Sequence, residues 1–110
     1  MGKRRYVIIM AAGSGTRMGA PMPKQFLEIG GKAILQHTIE AFVEACPGIS
    51  VVTVLNSDYI GYWRDYCLRR NFTCPQIIVA GGFTRFHSVR NALDKVPEGD
   101  REIVKRDAER

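Results

Sequence analysis

Four short apolar runs, each with the length and composition of a buried strand, constrain this chain to an α/β fold. The runs lie at Val7 to Met10, Ile49 to Leu55, Gln76 to Ala80 and Glu102 to Lys105, the last continuing to Asp107. The three intervals between them carry apolar residues at helical spacing, at Lys32 to Ala45, Tyr59 to Arg70 and Arg85 to Lys95. Because alternating strands and helices connect through right-handed crossovers, the pattern predicts one mostly parallel sheet covered by helices.

Composition narrows the class of protein further. The chain has 110 residues, 45% of them hydrophobic, which is enough for one modest core. No apolar run is long enough to cross a membrane, and the run after the basic N-terminus leads into a loop, so we predict a first strand, not a secretory signal, and a cytoplasmic protein. The net charge of +5 favours polyanionic ligands. Nucleic acid is the weaker alternative because the basic residues are spread along the chain.

The three cysteines and two histidines suggest no metal centre. Cys46, Cys67 and Cys74 match no zinc spacing, so we predict ordinary reduced thiols. His37 falls within a helical pattern and is predicted to be structural or partly exposed, and His87 adds no further ligand set.

The segment after the first strand has the features of a phosphate-binding loop. The residues from Ala11 to Thr16 are small, which lets main-chain amides approach a ligand closely. Arg17 follows with a guanidinium that can bind phosphate oxygens in two places, and Lys24 supplies a second cation. We therefore predict that two cations flank an amide-lined loop that binds phosphate.

Three other interpretations of this loop compete with phosphate binding. Its glycines could simply form a turn between a strand and a helix. A Walker loop fits poorly because Gly15 is followed by Thr-Arg-Met-Gly where that loop needs Gly-Lys-Ser/Thr. A dinucleotide fingerprint also fits poorly, because the glycines are spaced GxGxxxG and no acidic residue lies near position 33.

A second glycine turn, GGFTRFHSV from Gly81 to Val89, follows the third strand. Because the carboxyl ends of parallel strands meet at one edge of a sheet, we expect both glycine loops to face one site. Thr84 or Ser88 is predicted to cap the next helix. Ser88 either satisfies local backbone or contacts a ligand.

Three blocks of sequence resemble the 2-C-methyl-D-erythritol 4-phosphate cytidylyltransferases. The blocks are AAGSGTRMG at Ala11 to Gly19, PKQFLEIGGKAILQHTIEAF at Pro23 to Phe42, and GGFTRFHSVRNAL at Gly81 to Leu93. The resemblance implies a Rossmann-like nucleotidyltransferase fold. It also implies an enzyme that transfers CMP from CTP to methylerythritol phosphate with the help of Mg²⁺. Family members are longer, so residues 1–110 are expected to be the N-terminal half of a single nucleotide-binding domain.

The resemblance also implies a role for particular residues. The nucleotide-binding set comprises Ala11, Ala12, Gly13, Ser14, Gly15 and Thr16, with Gly82 and Ser88 beside the cytosine and ribose. Arg17 and Lys24 match the cations that stabilise the transition state at the α-phosphate. Asp107 corresponds to a magnesium carboxylate and Arg110 to a contact with the methylerythritol phosphate. Two positions depart from the family, which has His where Arg106 stands and, in some members, an acidic residue in place of Phe83.

The expected partners are CTP and a sugar-alcohol phosphate, and the resemblance implies a homodimer in full-length members. Ribitol-5-phosphate cytidylyltransferase, which shares the Pro-Lys-Gln block, is the closest enzymatic alternative. A CTP-binding module without turnover is the alternative from a different class.

Overall fold

The computed structural model describes residues 4–13 and 22–108. Its main sheet has four strands, β1 (Arg4–Ala11), β4 (Ser50–Leu55), β5 (Ile77–Ala80) and β6 (Arg101–Asp107). They are ordered β5-β4-β1-β6, and every neighbouring pair is parallel. Three helices connect or cover them, α1 (Ile34–Ala45), α2 (Ile60–Arg69) and α3 (Arg85–Leu93). The predicted α/β fold with a mostly parallel sheet is confirmed.

Strand β1 lies inside the sheet, and its two faces belong to two cores. Val7 and Ile9 pack in a cluster with residues of α1 and α2, whereas Ile8 packs in a cluster that contains Ala92 of α3. Val7, Ile8 and Ile9 are all fully buried. This explains why β1 is a continuous apolar run, since a strand covered on both faces has no position for a polar side chain. Strand β6 lies at the edge of the sheet, where most of its residues are partly or fully exposed.

A small hairpin precedes α1 and corrects the predicted start of this helix. Strands β2 (Glu28–Ile29) and β3 (Lys32–Ala33) pair antiparallel around Gly30 and Gly31, whose φ angles are +63° and +83°. Two-residue hairpin turns of this kind require positive φ, which glycine adopts at little cost. The helix therefore begins at Ile34 and not at Lys32, because Lys32 and Ala33 are engaged in the hairpin. Helix α3 likewise ends at Leu93, two residues earlier than predicted.

The aromatic side chains of α2 form core, as their spacing indicates. Trp63 and Tyr66 are buried, and their rings stack with centroids 5.1 Å apart. The Tyr66 hydroxyl accepts a hydrogen bond from the N–H of Ala33 at 2.8 Å and donates to Oε1 of Gln36 at 2.6 Å. One phenol thus ties α2 to the hairpin and to α1.

Outside the candidate site, the sequence predictions for single residues concern histidine and cysteine. His37 is exposed on α1, with Nε2 2.7 Å from the carbonyl oxygen of Ile29. Cys46, Cys67 and Cys74 are free thiols. Burial raises the pKa of the Cys67 thiol and of the Cys74 thiol above their ordinary values, so both are held as neutral groups. Within the described ranges, no helix has both the length and the apolar character needed to cross a membrane.

Candidate functional site

A cleft of about 450 Å³ lies at the carboxyl ends of β1, β5 and β6. Its described lining includes residues of both glycine loops and of the end of β6, namely Met10, Ala12, Gly13, Asn56, Gly82, Phe83, Thr84, Arg85, Ser88 and Asp107. The prediction that the two loops face one site is confirmed. Open parallel sheets bind their ligands in clefts at the carboxyl ends of their strands.

A second cleft, of about 390 Å³, lies at the opposite ends of the strands. It is lined by Arg4, Arg5 and Glu102 together with Cys46 and the four residues that follow it. The amino ends of parallel strands are not where α/β sheets place ligands, and no described residue of the two glycine loops that follow β1 and β5 lines this second cleft. We therefore assign the candidate site to the first cleft.

The start of the first loop is held by a side chain that comes twelve residues later. Gln25 is only 2% exposed and lies in the 3-10 helix Lys24–Phe26. Its Nε2 donates to the carbonyl oxygen of Ala11 at 2.6 Å and to that of Gly13 at 3.3 Å. Sequence reasoning assigned no role to Gln25, although it stands in the Pro-Lys-Gln block.

Lys24 precedes this buried glutamine and is exposed, and it is not among the described residues that line the cleft. The predictions for Ser14, Gly15, Thr16, Arg17 and Arg110 fall on positions outside the described residues. Their roles stay predictions.

The second loop is fixed to its neighbours through the main chain. The N–H of Gly81 donates to the carbonyl oxygen of Leu55 at 2.8 Å, and the N–H of Gly82 donates to Oγ of the buried Ser88 at 3.0 Å. A Cβ at Gly81 would lie 2.5 Å from Cβ of Ala12, so the two loops are in direct contact. The Ser88 hydroxyl therefore satisfies local backbone, and because Ser88 also lines the cleft, its contact with a ligand stays a prediction.

Thr84 is the residue that caps α3. The N–H of His87 donates to its Oγ1 at 3.2 Å, whereas Ser88 lies inside the first turn of the helix. Phe83, one residue before the cap, is fully exposed at the rim of the cleft.

Asp107 ends β6 inside the cleft, where it faces a cation. Arg85 at the start of α3 donates from one terminal nitrogen to Oδ1 of Asp107 at 2.8 Å. The neighbouring residue Ala108 holds the main chain beside Asp107 in place. Its N–H donates to the carbonyl oxygen of Met10 at 3.0 Å, and its own carbonyl oxygen accepts from Oγ1 of Thr38 at 2.6 Å. No sequence pattern indicates the Arg85 contact, because the two residues lie on different elements 22 positions apart.

The described part of the cleft offers one carboxylate to a metal ion. Across residues 4–13 and 22–108, no three His, Cys, Asp or Glu side chains cluster in a way that could hold one. Mg²⁺ is commonly bound by one or two carboxylates together with substrate phosphates and water. The side chain of Asp107 therefore fits a magnesium ion that arrives with a phosphate ligand, and it does not form a complete cage by itself.

Comparisons with known proteins agree with this geometry. The sequence model of the 2-C-methyl-D-erythritol 4-phosphate cytidylyltransferase family matches residues 6–110. The enzyme of that name from Porphyromonas gingivalis is 46% identical over 99 residues, which cover 90% of this chain and 44% of the relative. That from Azobacteroides pseudotrichonymphae is 47% identical over 94 residues, covering 86% and 42%.

A solved structure gives the same result for the fold. The crystal structure of 4-diphosphocytidyl-2C-methyl-D-erythritol synthase from Anaerococcus prevotii superposes with a TM-score of 0.69 at 26% identity, covering 98% of this chain and 44% of that one. The chain thus spans less than half the length of the relatives it matches. Because the match to the family extends over nearly all of its sequence, the chain belongs to the 2-C-methyl-D-erythritol 4-phosphate cytidylyltransferase family.

Proposed function

We propose that this protein transfers CMP from CTP to 2-C-methyl-D-erythritol 4-phosphate and releases pyrophosphate, a step of non-mevalonate isoprenoid biosynthesis. The observation that carries the proposal is that described residues of both glycine loops and the end of β6 line one cleft in a chain of this family. A phosphate oxygen of the acceptor attacks the α-phosphorus of CTP in line with the departing pyrophosphate. Because the attacking phosphate is already an anion, the reaction needs no general base.

The main catalytic requirement is then positive charge around the α-phosphate. Negative charge accumulates on its non-bridging oxygens as bonds change, and fixed donors aimed there stabilise the transition state. We assign this role to Arg17 and Lys24, with main-chain amides of the first loop binding the triphosphate. By analogy with arginine fingers, one well-placed arginine contributes about 10³ to 10⁵ in rate. Gly82 and Ser88 are assigned to the cytosine and ribose side.

We assign Asp107 as the residue that holds Mg²⁺. When bound there, a magnesium ion would supply positive charge that offsets the negative charge of the phosphates. Arg85, 2.8 Å from the Asp107 carboxylate, keeps that side chain at the mouth of the cleft. We further propose a cytoplasmic location and, from the resemblance to full-length family members, a homodimer.

The first test is binding followed by turnover. CTP is titrated into the chain by calorimetry in the presence of Mg²⁺, and pyrophosphate release is then measured with methylerythritol phosphate and with ribitol 5-phosphate. Release with the first acceptor supports the proposal, and release with only the second identifies a ribitol-5-phosphate enzyme. Binding of CTP without release from either acceptor identifies a nucleotide-binding module. Failure to bind CTP would refute the proposal.

A further inference from the structure

We propose that Gln25 is a positioning residue of the nucleotide site: its buried amide turns the carbonyls of Ala11 and Gly13 away from the cleft, so that a triphosphate can bind there. The inference rests on the proposed function and adds to it a residue that orients the main chain of the nucleotide site. Gln25 does not touch the nucleotide, and it acts through the main chain of Ala11 and Gly13.

The side-chain amide of Gln25 donates to two main-chain carbonyl groups at once. Both hydrogen bonds leave a single nitrogen, at 2.6 Å to Ala11 and 3.3 Å to Gly13, and the side chain that makes them is 2% exposed. A carbonyl oxygen that accepts from a buried amide has its negative end directed into the protein. If either carbonyl rotated toward the cleft, its partial negative charge would repel phosphate at short range in a partly dehydrated site.

The planarity of the peptide bond links these carbonyls to the donors that phosphate needs. In a trans peptide the C=O of one residue and the N–H of the next lie in one plane and point in opposite directions. The bond from Gln25 to the carbonyl of Ala11 therefore directs the N–H of Ala12 away from Gln25. Ala12 lines the cleft, so one side chain sets the orientation of the first peptide plane in the site.

The same residue connects this loop to the predicted catalytic cation. Lys24 and Gln25 are neighbours in a 3-10 helix in which the N–H of Leu27 donates to the carbonyl of Lys24 at 3.1 Å. The helix is anchored by Phe26, which is buried and lies 5.1 Å from the ring of Tyr62. The main chain of Lys24 is thus held at a fixed distance from the loop by two buried side chains.

The chain offers a matched control in Gln36. This glutamine is also buried, at 6% exposure, and also makes two side-chain hydrogen bonds, to Tyr66 and Glu40, but it lies on α1 and does not line the cleft. Gln25→Met and Gln36→Met each remove an amide of similar volume from the interior. A general loss of stability affects both variants, whereas a loss of loop geometry affects only the first.

The experiment compares CTP with CMP. Affinities of the wild-type chain and both variants are measured by calorimetry with Mg²⁺, at a temperature where circular dichroism shows each to be folded. We expect Gln25→Met to weaken CTP binding by about tenfold or more, equivalent to about 1.4 kcal/mol, with little change for CMP. We expect Gln36→Met to leave the ratio of the two affinities unchanged. Amide exchange at Ala12, measured without nucleotide, should rise in Gln25→Met only.

The possible outcomes separate the inference from the function on which it rests. Equal losses for CTP and CMP, or unchanged exchange at Ala12, would overturn the role of Gln25 while leaving the proposed function intact. A wild-type chain that binds neither nucleotide would overturn both.

If Gln25→Met does not fold, Gln25→Glu replaces it. A buried carboxyl group has a raised pKa, and it donates a hydrogen bond only when protonated. The CTP-to-CMP ratio of that variant should therefore recover as the pH falls, whereas an unchanged ratio would overturn the inference.

Discussion

Gly81→Ala tests the contact between the two glycine loops with a single methyl group. The added Cβ would lie 2.5 Å from Cβ of Ala12 and 3.0 Å from Oγ of Ser88. Carbon atoms in contact prefer a separation of about 3.5–4.0 Å, so the loops would have to move apart by roughly 1 Å. Neither obstructing atom is the end of a long flexible side chain, and the N–H of Gly81 is held by Leu55 at 2.8 Å. The strain therefore cannot be relieved by a simple rotation of a side chain.

Overpacking of this kind costs about 1–3 kcal/mol. In a domain of this size each kcal/mol lowers the melting temperature by about 4–8 °C, a shift that thermal and urea denaturation followed by circular dichroism resolve easily. Gly61→Ala is the matched control, because Gly61 lies in α2 and an added Cβ there meets nothing within 4 Å. Alanine has the higher helix propensity, so this variant should gain up to about 1 kcal/mol.

A second substitution shows whether the contact with Ala12 is the cause. Ala12→Gly removes the atom that the new methyl group strikes, so the double variant should recover part of the lost stability. We expect a coupling energy of about 1 kcal/mol or more in a double-mutant cycle. If Gly81→Ala is as stable as the wild type, or if its cost is unchanged when Ala12 is glycine, the contact between the loops is not as close as described.

Three further predictions concern the core, the thiols and the catalytic cations. Tyr66→Phe removes a hydroxyl that joins an N–H of the hairpin to a buried glutamine, and it should lower the free energy of unfolding by about 1–3 kcal/mol in urea denaturation. Because burial raises the pKa of Cys67 and of Cys74, the unfolded chain loses these protons at lower pH than the folded chain. The two thiols therefore contribute fully to the free energy of unfolding below a pH of about 8.5, and this contribution falls as the pH rises further. Replacing both by alanine should reduce the decrease in the free energy of unfolding at alkaline pH, as measured by urea denaturation. Lys24→Ala or Arg17→Ala in an active enzyme should reduce turnover far more than CTP affinity, and equal losses in a steady-state assay would count against a role in the transition state.

Much of the sheet could be predicted because its strands are marked by apolar runs and its helices by apolar spacing. The two strands of the hairpin around Gly30 and Gly31 are two residues each, too short to show alternation in the sequence. Helical spacing continued through Lys32 and Ala33, and backbone pairing overrode it there. The strand order β5-β4-β1-β6 also lies beyond sequence reasoning, because apolar runs do not specify their neighbours.

For the candidate site, the sequence located the loops but not the contacts that hold them. Glycines at strand ends predict where backbone approaches a ligand, and this part of the prediction is confirmed by the shared cleft. The bonds from Gln25 to Ala11 and Gly13, and the pair formed by Arg85 and Asp107, join residues 12 to 22 positions apart on different elements. No periodicity marks such contacts, and each depends on the finished packing of the sheet and its helices.

The segments that build the cleft are joined by hydrogen bonds at the carboxyl ends of the strands, so the site and the sheet form one structural unit. Gly81 after β5 donates to Leu55 at the end of β4, and Ala108 after β6 donates to Met10 near the end of β1. Each bond crosses between neighbouring strands of the order β5-β4-β1-β6. A change in strand register would therefore displace a loop and the cleft together. Conversely, a nucleotide that binds only the assembled cleft must stabilise the whole sheet, by about 2.7 kcal/mol at a concentration one hundred times its dissociation constant.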